Sequence, residues 1–515
     1  MRQLNGIDVS FLNLESGGNY GHISSLNLFD AAGLNAAATV EVMKALIAER
    51  LNQLVPFRRR LVEVPLGLDL PYWIDDPDFD LDFHVRHHAV PAPGTPEQLS
   101  EIISRIHGRP LDRSRPLWEM YIIEGVDEGR TIAQFTKVHH AAIDGAAGAL
   151  MLAALLDVDP SVRPTGEVAQ WEPEPVPTEM ELLARTATEY LHRPEKMVRL
   201  TVQTLRELSS ATRSGGVRVL ADLAAQPIPG PIGRILRHRL RAGTEGELDH
   251  PPALPPAAAP RTPWNRQISP HRRFAYTSID LETAKQIRRT VGCTFNDVVM
   301  AIASGALRRY LELHDCLPED PLVAMVPVSV RTGAEDDMFQ NRISAMFTDL
   351  ATDEADPLAR LERVRTSLSR AKDGFQAIPA EHLQDFTRFA PPAVAARAMR
   401  MFSRLRIADR LNPPFNLVIS NVPGPDFALY AAGARLHHFY PVSALIDGQG
   451  LNMTVQSYCG HLDFGIVADR ELVPDVWVFP ELLAASLTEL SQAVAGISSR
   501  DRRRTRPANR NGHRS

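Results

Sequence analysis

A histidine pair followed by an aspartate and a glycine is the strongest chemical signal in the sequence. The run occupies residues 139–145 and reads HHAAIDG. An imidazole titrates near neutral pH, so it can act as a general base that takes a proton from an attacking hydroxyl. Adjacent residues of a strand point to opposite faces, so at most one of the two rings faces the reacting atoms. We predict that His140 is the general base and that His139 supports it from behind.

The flanking residues predict how this pair is positioned. Residues 132–138 combine β-branched and aromatic types, which favours a strand, and residues 146–156 favour a buried helix. Asp144 would then be the helix N-cap, where its carboxylate accepts a backbone N–H and its charge suits the helix N-terminus. Gly145 would let a ligand or another segment approach closely. His140 is therefore expected in a strand-to-helix connection, where its side chain can face a cleft.

Other chemistries find less support in the sequence. A metal site built on His140 and Asp144 would need a third ligand at a clear spacing, and none is visible. A serine nucleophile is not indicated, because no G-x-S-x-G elbow occurs. Two further histidine pairs, at residues 87–88 and 437–438, show that a pair alone carries little information. We expect neither a metal nor another cofactor.

Composition narrows the class of protein. The 515 residues are 44% hydrophobic and 23% charged, which is ordinary for a globular protein with more than one core. The net charge of −6 argues against a nucleic-acid-binding surface. The three cysteines form no CxxC pair, so neither a zinc site nor a disulfide framework is indicated. The N-terminus lacks the apolar core of a signal peptide, and the longest apolar run is shorter than the ~20 residues of a membrane span. We expect a cytoplasmic protein.

Proline clusters within residues 160–177 and 251–263 indicate linkers, because proline fixes φ and removes a backbone donor. They predict a first domain over residues 1–160, a connecting segment over 161–263 and a second domain over 264–497. The arginine-rich end, 498–515, is expected to be disordered. The connecting segment is basic and amphipathic between residues 199 and 241. Such helices either lie on an anionic lipid surface or present a solvated arginine face.

Hydrophobic periodicity predicts a mixed set of elements. Helices are expected over residues 36–52, 96–107, 282–291 and 296–313. Strands are expected over 274–281, 322–330 and 416–420. Strands and helices do not alternate regularly enough for a doubly wound sheet, so the fold class is predicted to be mixed α/β (α+β).

Further short motifs accompany the histidine pair in a fixed order. They are LNGIDVSF at residues 4–11, PLW at 116–118, ND at 296–297, PVSVR at 327–331 and NVPGP at 421–425. Together they resemble the bacterial wax ester synthase/acyl-CoA:diacylglycerol acyltransferase family, and the actinobacterial triacylglycerol synthases in particular. The likeness extends from about residue 4 to about residue 490. HHxxxDG alone is shared with chloramphenicol acetyltransferase, peptide-synthetase condensation domains and plant acyltransferases, whereas the full set is much more specific.

This resemblance implies two chloramphenicol-acetyltransferase-like domains with the active-site tunnel at their interface. It implies O-acyl transfer from acyl-CoA, a substrate and not a cofactor, to diacylglycerol or a long-chain alcohol. The products are triacylglycerols or wax esters, which places the protein in lipid and glycerol metabolism. His140 matches the family's catalytic histidine and Asp144 its loop-shaping aspartate. Asn296 matches the asparagine of the ND motif, whose amide would steady the developing oxyanion.

The remaining matched residues receive supporting roles. Arg331 is the predicted partner of Asp144, and Asp297 is expected to form a capping box with Thr294. The PLW motif is expected near the acyl tunnel or against the catalytic loop, and the NVPGP motif in a turn that ends a strand near the site. The substrate-binding residues so implied are Pro116, Leu117, Trp118, Asn421 and Gly424.

Two other functions stay open at this point. One is an acyltransferase of the same fold that acts on another lipid or polyketide hydroxyl. The other is an inactive lipid-droplet coat or lipid-binding protein. Since the implied substrates are insoluble in water, a peripheral location on the inner membrane face or on lipid droplets is an alternative to a purely cytoplasmic one.

Overall fold

The computed structural model describes residues 1–31, 36–143, 155–161, 173–192, 259–329, 343–376 and 403–504. We call the described residues up to 192 the first half and those from 259 the second half. Asp144, Gly145 and Arg331 lie outside the described residues, and so do most of the helix expected over 146–156 and the basic segment 199–241.

The strands are β1 Arg2–Gln3, β2 His22–Asp30, β3 Arg59–Val62, β4 Tyr72–Asp75, β5 Val85–Ala89, β6 Trp118–Val126, β7 Thr131–His139, β8 Arg272–Asp280, β9 Val323–Ser329, β10 Ile343–Asp349, β11 Leu417–Val422, β12 Tyr430–Ala431, β13 Ala434–Val442, β14 Leu451–Tyr458 and β15 His461–Asp469. The helices are α1 Gly6–Leu14, α2 Ala36–Arg50, α3 Val55–Arg58, α4 Leu81–His84, α5 Pro96–His107, α6 Glu179–His192, α7 Leu281–Val291, α8 Phe295–Leu313, α9 Pro357–Gln376 and α10 Phe479–Arg504. Short 3₁₀ turns occupy Pro65–Gly67, Asp127–Gly129, Ile407–Asp409 and Val476–Val478.

The predicted elements agree with this order. The helices expected over 36–52, 96–107, 282–291 and 296–313 correspond to α2, α5, α7 and α8. The strands expected over 132–138, 274–281, 322–330 and 416–420 correspond to β7, β8, β9 and β11. Helix α5 begins at a capping box between Thr95 and Gln98, which satisfies backbone donors of its first turn. The prediction of a mixed α/β fold is confirmed.

Two six-stranded sheets form the body of the molecule. Sheet N has the order β12-β13-β2-β7-β6-β5, and only its β5–β6 pair is parallel. Sheet C has the order β10-β9-β11-β14-β15-β8, in which β11 runs parallel to both of its neighbours. A small sheet, β1-β4-β3, lies beside them.

The second half contributes a strand to the sheet of the first half. Strand β13 pairs with β2, so that Tyr440 lies opposite Leu26. Its Pro441 carbonyl also touches β15, where a Cβ added at Gly465 would lie 1.7 Å from that oxygen. The strand therefore connects the two sheets. The predicted boundary between residues 263 and 264 divides the chain in sequence but does not separate the two sheets.

The end of the second half differs from the prediction. Helix α10 continues to Arg504, past the domain end predicted at Ile497. Arginine is a good helix former, so an arginine-rich run can prolong a helix that packing has already started. The disorder predicted for residues 498–515 stays a prediction, and residues 505–515 lie outside the described part of the chain.

Separate apolar clusters cover the faces of the sheets. One packs α2 on sheet N and includes Phe29, Val138 and Ile143. Another lies between the sheets and joins α5 to Phe135 and Tyr440. The largest packs α8, α9 and α10 on sheet C. Among the described residues, no single helix is both long and apolar enough to span a bilayer, and α7 with α8 meets that test only as a pair bent by 112°.

The close approach of β13 to β15 gives a stability prediction. Gly465→Ala should destabilise the fold by about 2 kcal/mol, because its methyl group has no room beside the Pro441 carbonyl. Gly496→Ala in α10 is the matched control, since an added Cβ there meets no atom within 4 Å. Thermal melts should show a lower Tm for the first variant and an unchanged or raised Tm for the second. Equal Tm values for wild type and Gly465→Ala would contradict this packing.

Candidate active site

The histidine pair lies where β7 ends. His139 is the last residue of the strand and lies opposite His22 of β2, while His140 begins the turn. His139 is buried with 1% of its surface exposed, and His140 is half-buried. The alternation along β7 places His139 on the same face as Ala133 and Phe135, which pack with α5, whereas Val138 packs in the core on the opposite face.

The ring of His139 is hydrogen-bonded at both nitrogens. Its Nε2 lies 3.2 Å from Glu15 Oε1, and the backbone N–H of Ala141 donates to its Nδ1 over 3.0 Å. Because Nδ1 accepts a hydrogen bond, the proton of the neutral ring is assigned to Nε2, which donates to the carboxylate. His139 therefore fixes the turn that follows it.

Glu15, just after α1, gathers several donors around its carboxylate. Oε1 also accepts the backbone N–H of Gly21 at 2.9 Å, and Oε2 accepts Nη2 of Arg113 at 2.7 Å. Burial raises the pKa of the Glu15 carboxyl, but the hydrogen bonds and charges of His139, Gly21 and Arg113 outweigh burial and lower that pKa to about 2. Glu15 is therefore an anion throughout the physiological pH range.

Two contacts fix the position of His140, one through its backbone N–H and one through a face of its ring. Its N–H donates to the Gly21 carbonyl over 2.7 Å, and its ring stacks on Phe11 with centroids 4.1 Å apart and planes inclined by 10°. A Cβ at residue 21 would lie 2.7 Å from both the His139 Nε2 and the Phe11 carbonyl oxygen. Only glycine therefore permits the loop to approach the histidine pair this closely.

The PLW motif lies directly beside this turn. The Leu117 carbonyl accepts the N–H of His139 at 2.9 Å. Trp118 is buried, donates from Nε1 to the Phe57 carbonyl at 2.7 Å, and stacks between the rings of Phe57 and His84. Pro116 forms an isolated bridge with Arg60. The motif packs against the turn that begins at His140 and against the core that covers α2 and sheet N, and its role in binding substrate stays a prediction.

The ND motif opens helix α8. Thr294 caps the helix, with its N–H bonded to Asp297 Oδ2 at 2.7 Å and its hydroxyl accepting the Asp297 N–H at 3.2 Å. The predicted capping box is therefore confirmed. Asn421 donates from Nδ2 to Asn296 Oδ1 over 3.2 Å. This bond uses the acceptor atom of Asn296 and turns its amide NH₂ away from Asn421.

The NVPGP motif begins within strand β11, which ends at Val422, and the turn follows from Pro423. The Gly424 N–H donates to Ser457 Oγ at 3.1 Å, and a Cβ there would lie 2.1 Å from the Ser457 carbonyl oxygen. Leu429, a few residues after the NVPGP motif, packs in the same cluster as Val138 and Ile143, which lie before and after His140 in the sequence. The fold thus brings Ile143 of the HHAAIDG motif and the segment that follows the NVPGP motif to a common core.

Three contacts of the site were not predicted from the sequence: those of Glu15, of Gly21 and of the Arg113 guanidinium. Glu15 and Arg113 are separated by 98 positions, and an isolated acidic residue in a turn has no periodicity that would mark it. Asp144, Gly145 and Arg331 cannot be placed, because they fall outside the described residues. Within the described part of the chain, no group of three or more His, Cys, Asp or Glu side chains could hold a metal ion.

Comparison with sequence families gives two matches that cover most of the chain. The model of the wax ester synthase/diacylglycerol acyltransferase catalytic domain matches residues 4–251 and 248–299. The model of the WS/DGAT C-terminal domain matches residues 339–491. A Mycobacterium tuberculosis protein, named as an inferred diacylglycerol O-acyltransferase, is 34% identical over 497 residues, or 95% of this chain and 90% of its own length. A similarly named Mycobacterium bovis protein is 34% identical over 489 residues, which cover 95% of this chain and 98% of that protein.

Solved structures show the same relationship. The wax ester synthase/diacylglycerol acyltransferase from Marinobacter aquaeolei VT8 superposes with a TM-score of 0.66 at 28% identity, covering 96% of this chain and 100% of that one. The first condensation domain of the calcium-dependent antibiotic synthetase superposes with a TM-score of 0.51 at 15% identity, covering 95% and 97%, which shows a shared fold. The fold is that of two chloramphenicol-acetyltransferase-like domains. The chain therefore belongs to the wax ester synthase/diacylglycerol acyltransferase family of acyltransferases.

Proposed function

We propose that this protein transfers a fatty acyl group from acyl-CoA to the free hydroxyl of diacylglycerol, and that the same site also accepts long-chain alcohols. The observation that carries the proposal is the placement of His140. Its backbone is bonded to Gly21 and one ring face rests on Phe11, so the ring edge has a defined direction. Relatives named for this activity support the choice of acceptor.

The proposed reaction is a direct transfer. The Nε2 of His140 takes the proton of the acceptor hydroxyl as its oxygen attacks the thioester carbonyl carbon, which gives a tetrahedral oxyanion. The oxyanion collapses, the C–S bond breaks, and the imidazolium returns the proton to the CoA thiolate. General acid–base catalysis of this kind contributes typically about 10²–10⁴-fold to a rate, and positioning of the two substrates contributes more.

Other residues are proposed to prepare the site for this step. The amide NH₂ of Asn296 would donate to the oxyanion, and Asn421 would hold that amide in orientation through its 3.2 Å bond. Asp144 and Gly145 would shape the far side of the turn, with Arg331 as the partner of Asp144. The substrates would meet in a tunnel between the two domains, with the PLW and NVPGP motifs near it.

A second candidate is acyl transfer to another lipid or polyketide hydroxyl, since the geometry at His140 does not depend on what carries the hydroxyl. A panel of diacylglycerol, hexadecanol and glycolipids with labelled palmitoyl-CoA separates the candidates by product. Triacylglycerol as the main product supports the proposal, whereas a glycolipid ester as the only product contradicts it. Lipid binding without CoA release for any acceptor would instead indicate a binding protein on lipid droplets or membranes.

The proposed base gives the first activity prediction. His140→Ala should lower kcat by about 10²–10⁴-fold with an unchanged Tm, because the acceptor hydroxyl loses its proton acceptor. The exposed His88 provides a control, and His88→Ala should keep wild-type kcat. CoA release followed with a thiol reagent measures both variants. Wild-type turnover by His140→Ala would contradict the mechanism.

The hydrogen bond between Asn421 and Asn296 gives a second activity prediction. Asn296→Ala should reduce kcat by about 10²–10³-fold, since one donor to the oxyanion is lost. Asn421→Ala should reduce kcat less, because it removes the orienting bond and not the donor itself. The exposed Asn412 is the control, where alanine should leave kcat unchanged. An Asn421→Ala variant more impaired than Asn296→Ala would contradict this order of roles.

Membrane association is proposed separately for the basic segment between residues 199 and 241, whose arginines suit an anionic surface. The full chain should float with vesicles that contain anionic lipid. Replacing the arginines of this segment with glutamine should reduce the floated fraction. Equal flotation of the wild type and the glutamine variant would contradict a role of this segment in membrane binding.

A further inference from the structure

The loop between α1 and β2 touches both halves of the chain. We call residues Glu15–Gly21 the backing loop. Its two ends contact the histidine pair and the turn that begins at His140. The Glu15 carboxylate bonds the ring of His139, and the Gly21 carbonyl accepts the His140 N–H at 2.7 Å. Its middle is buried against the second half at Gly18 and Asn19.

Asn19 forms a reciprocal pair with Asp447 of the second half. Its Nδ2 donates to Asp447 Oδ2 at 3.0 Å, and its Oδ1 accepts the Asp447 backbone N–H at 2.7 Å. Only 6% of Asn19 is exposed. Hydrogen bonds to a carboxylate are stronger than those between neutral groups, and a buried partner left unsatisfied is costly. The pair therefore fixes the distance between the backing loop and residue 447.

The backing loop has little room to move elsewhere. A Cβ added at Gly18 would lie 2.5 Å from the Ser269 carbonyl oxygen, so the two backbones are in direct contact. Arg272 donates to the Gly18 carbonyl, and its guanidinium lies 5.2 Å from the ring centre of Tyr20. A shift of the second half would therefore move Gly21 and, through it, His140.

Asp447 is itself held by the second half. It follows strand β13, which pairs with β2 and packs on β15, and its Oδ1 accepts the N–H of Ile268 at 3.1 Å. Ser403 donates to its other carboxylate oxygen. Residue 447 lies in the connection from β13 of sheet N to β14 of sheet C, so its position depends on how the two sheets are placed.

We propose that Asn19 and Asp447 are positioning residues, which hold the backing loop between the two halves and so place His140 relative to the second-half residues Asn296 and Asn421. The inference rests on the proposed role of His140 as the base. Neither residue needs to touch the substrate, since the effect passes through Gly21 and Glu15. A misplacement of about 1 Å can cost about 100-fold in rate.

An exchange of side chains tests the pair. Asn19→Asp sets two carboxylates against each other and removes the Nδ2 donor. The double variant Asn19→Asp with Asp447→Asn restores one amide and one carboxylate in nearly the same space. We expect Asn19→Asp to lower kcat at least about tenfold while KM for palmitoyl-CoA stays within about twofold, and the double variant to recover most of kcat.

Hydrogen–deuterium exchange gives a second readout that does not need turnover. The backbone N–H of His140 is bonded to the backing loop, so the peptide covering residues 139–142 should exchange faster in Asn19→Asp and regain protection in the double variant. Ser100→Ala is the control. Its hydroxyl bonds the Phe274 carbonyl across the two halves without touching the backing loop, so kcat and the 139–142 peptide should be unchanged.

The outcomes distinguish this inference from the function it rests on. Wild-type kcat and protection in Asn19→Asp would overturn the positioning role. A loss that the double variant does not recover would overturn it too, since it would show a general loss of stability. If the wild-type enzyme released no CoA with any of the acceptors, the proposed function would be wrong. The exchange data would still decide whether Asn19 and Asp447 hold the backbone of His140.

Discussion

The half-buried carboxylate of Glu15 makes the contacts on which the described part of the turn at His140 depends. It bonds the ring of His139, the backbone of Gly21 and the guanidinium of Arg113. An anion taken out of water is stable only when such donors surround it, so the carboxylate forces these three segments together. Since the Gly21 carbonyl accepts the His140 N–H, the contacts of Glu15 also help to fix the position of the proposed base.

The interleaved sheets explain how motifs far apart in sequence reach one place. Strand β13 belongs to the second half yet completes sheet N, and the loop after it carries Asp447 to the backing loop. Before β13, Leu429 and Ala431 pack in the core that also holds Val138 and Ile143. Strand β11 ends within the NVPGP motif, and its Asn421 donates a hydrogen bond to Asn296 at the start of α8. Each half therefore depends on the other for the geometry of the site.

The helices and the helix cap that depend on local sequence patterns were predicted from the sequence. The apolar spacing of α2, the helix predicted over residues 96–107 and the Thr294 capping box of α8 are short-range signals, and the structure agrees with them. Glu15 was missed because its partners are distant in the chain. The passage of β13 into sheet N was missed because strand pairing depends on contacts across hundreds of residues. The continuation of α10 to Arg504 was missed because composition cannot show a helix propagating from packed neighbours.

The central claim is that His140 promotes direct transfer of the acyl group from CoA to a hydroxyl, without an acyl-enzyme. The most direct measurement is intact-protein mass spectrometry together with CoA release, after mixing the enzyme with palmitoyl-CoA in the absence and presence of diacylglycerol. Direct transfer predicts an unmodified protein mass in both mixtures and CoA release only when diacylglycerol is present. A stoichiometric palmitoyl-protein adduct, formed with one equivalent of CoA before the acceptor is added, would contradict it.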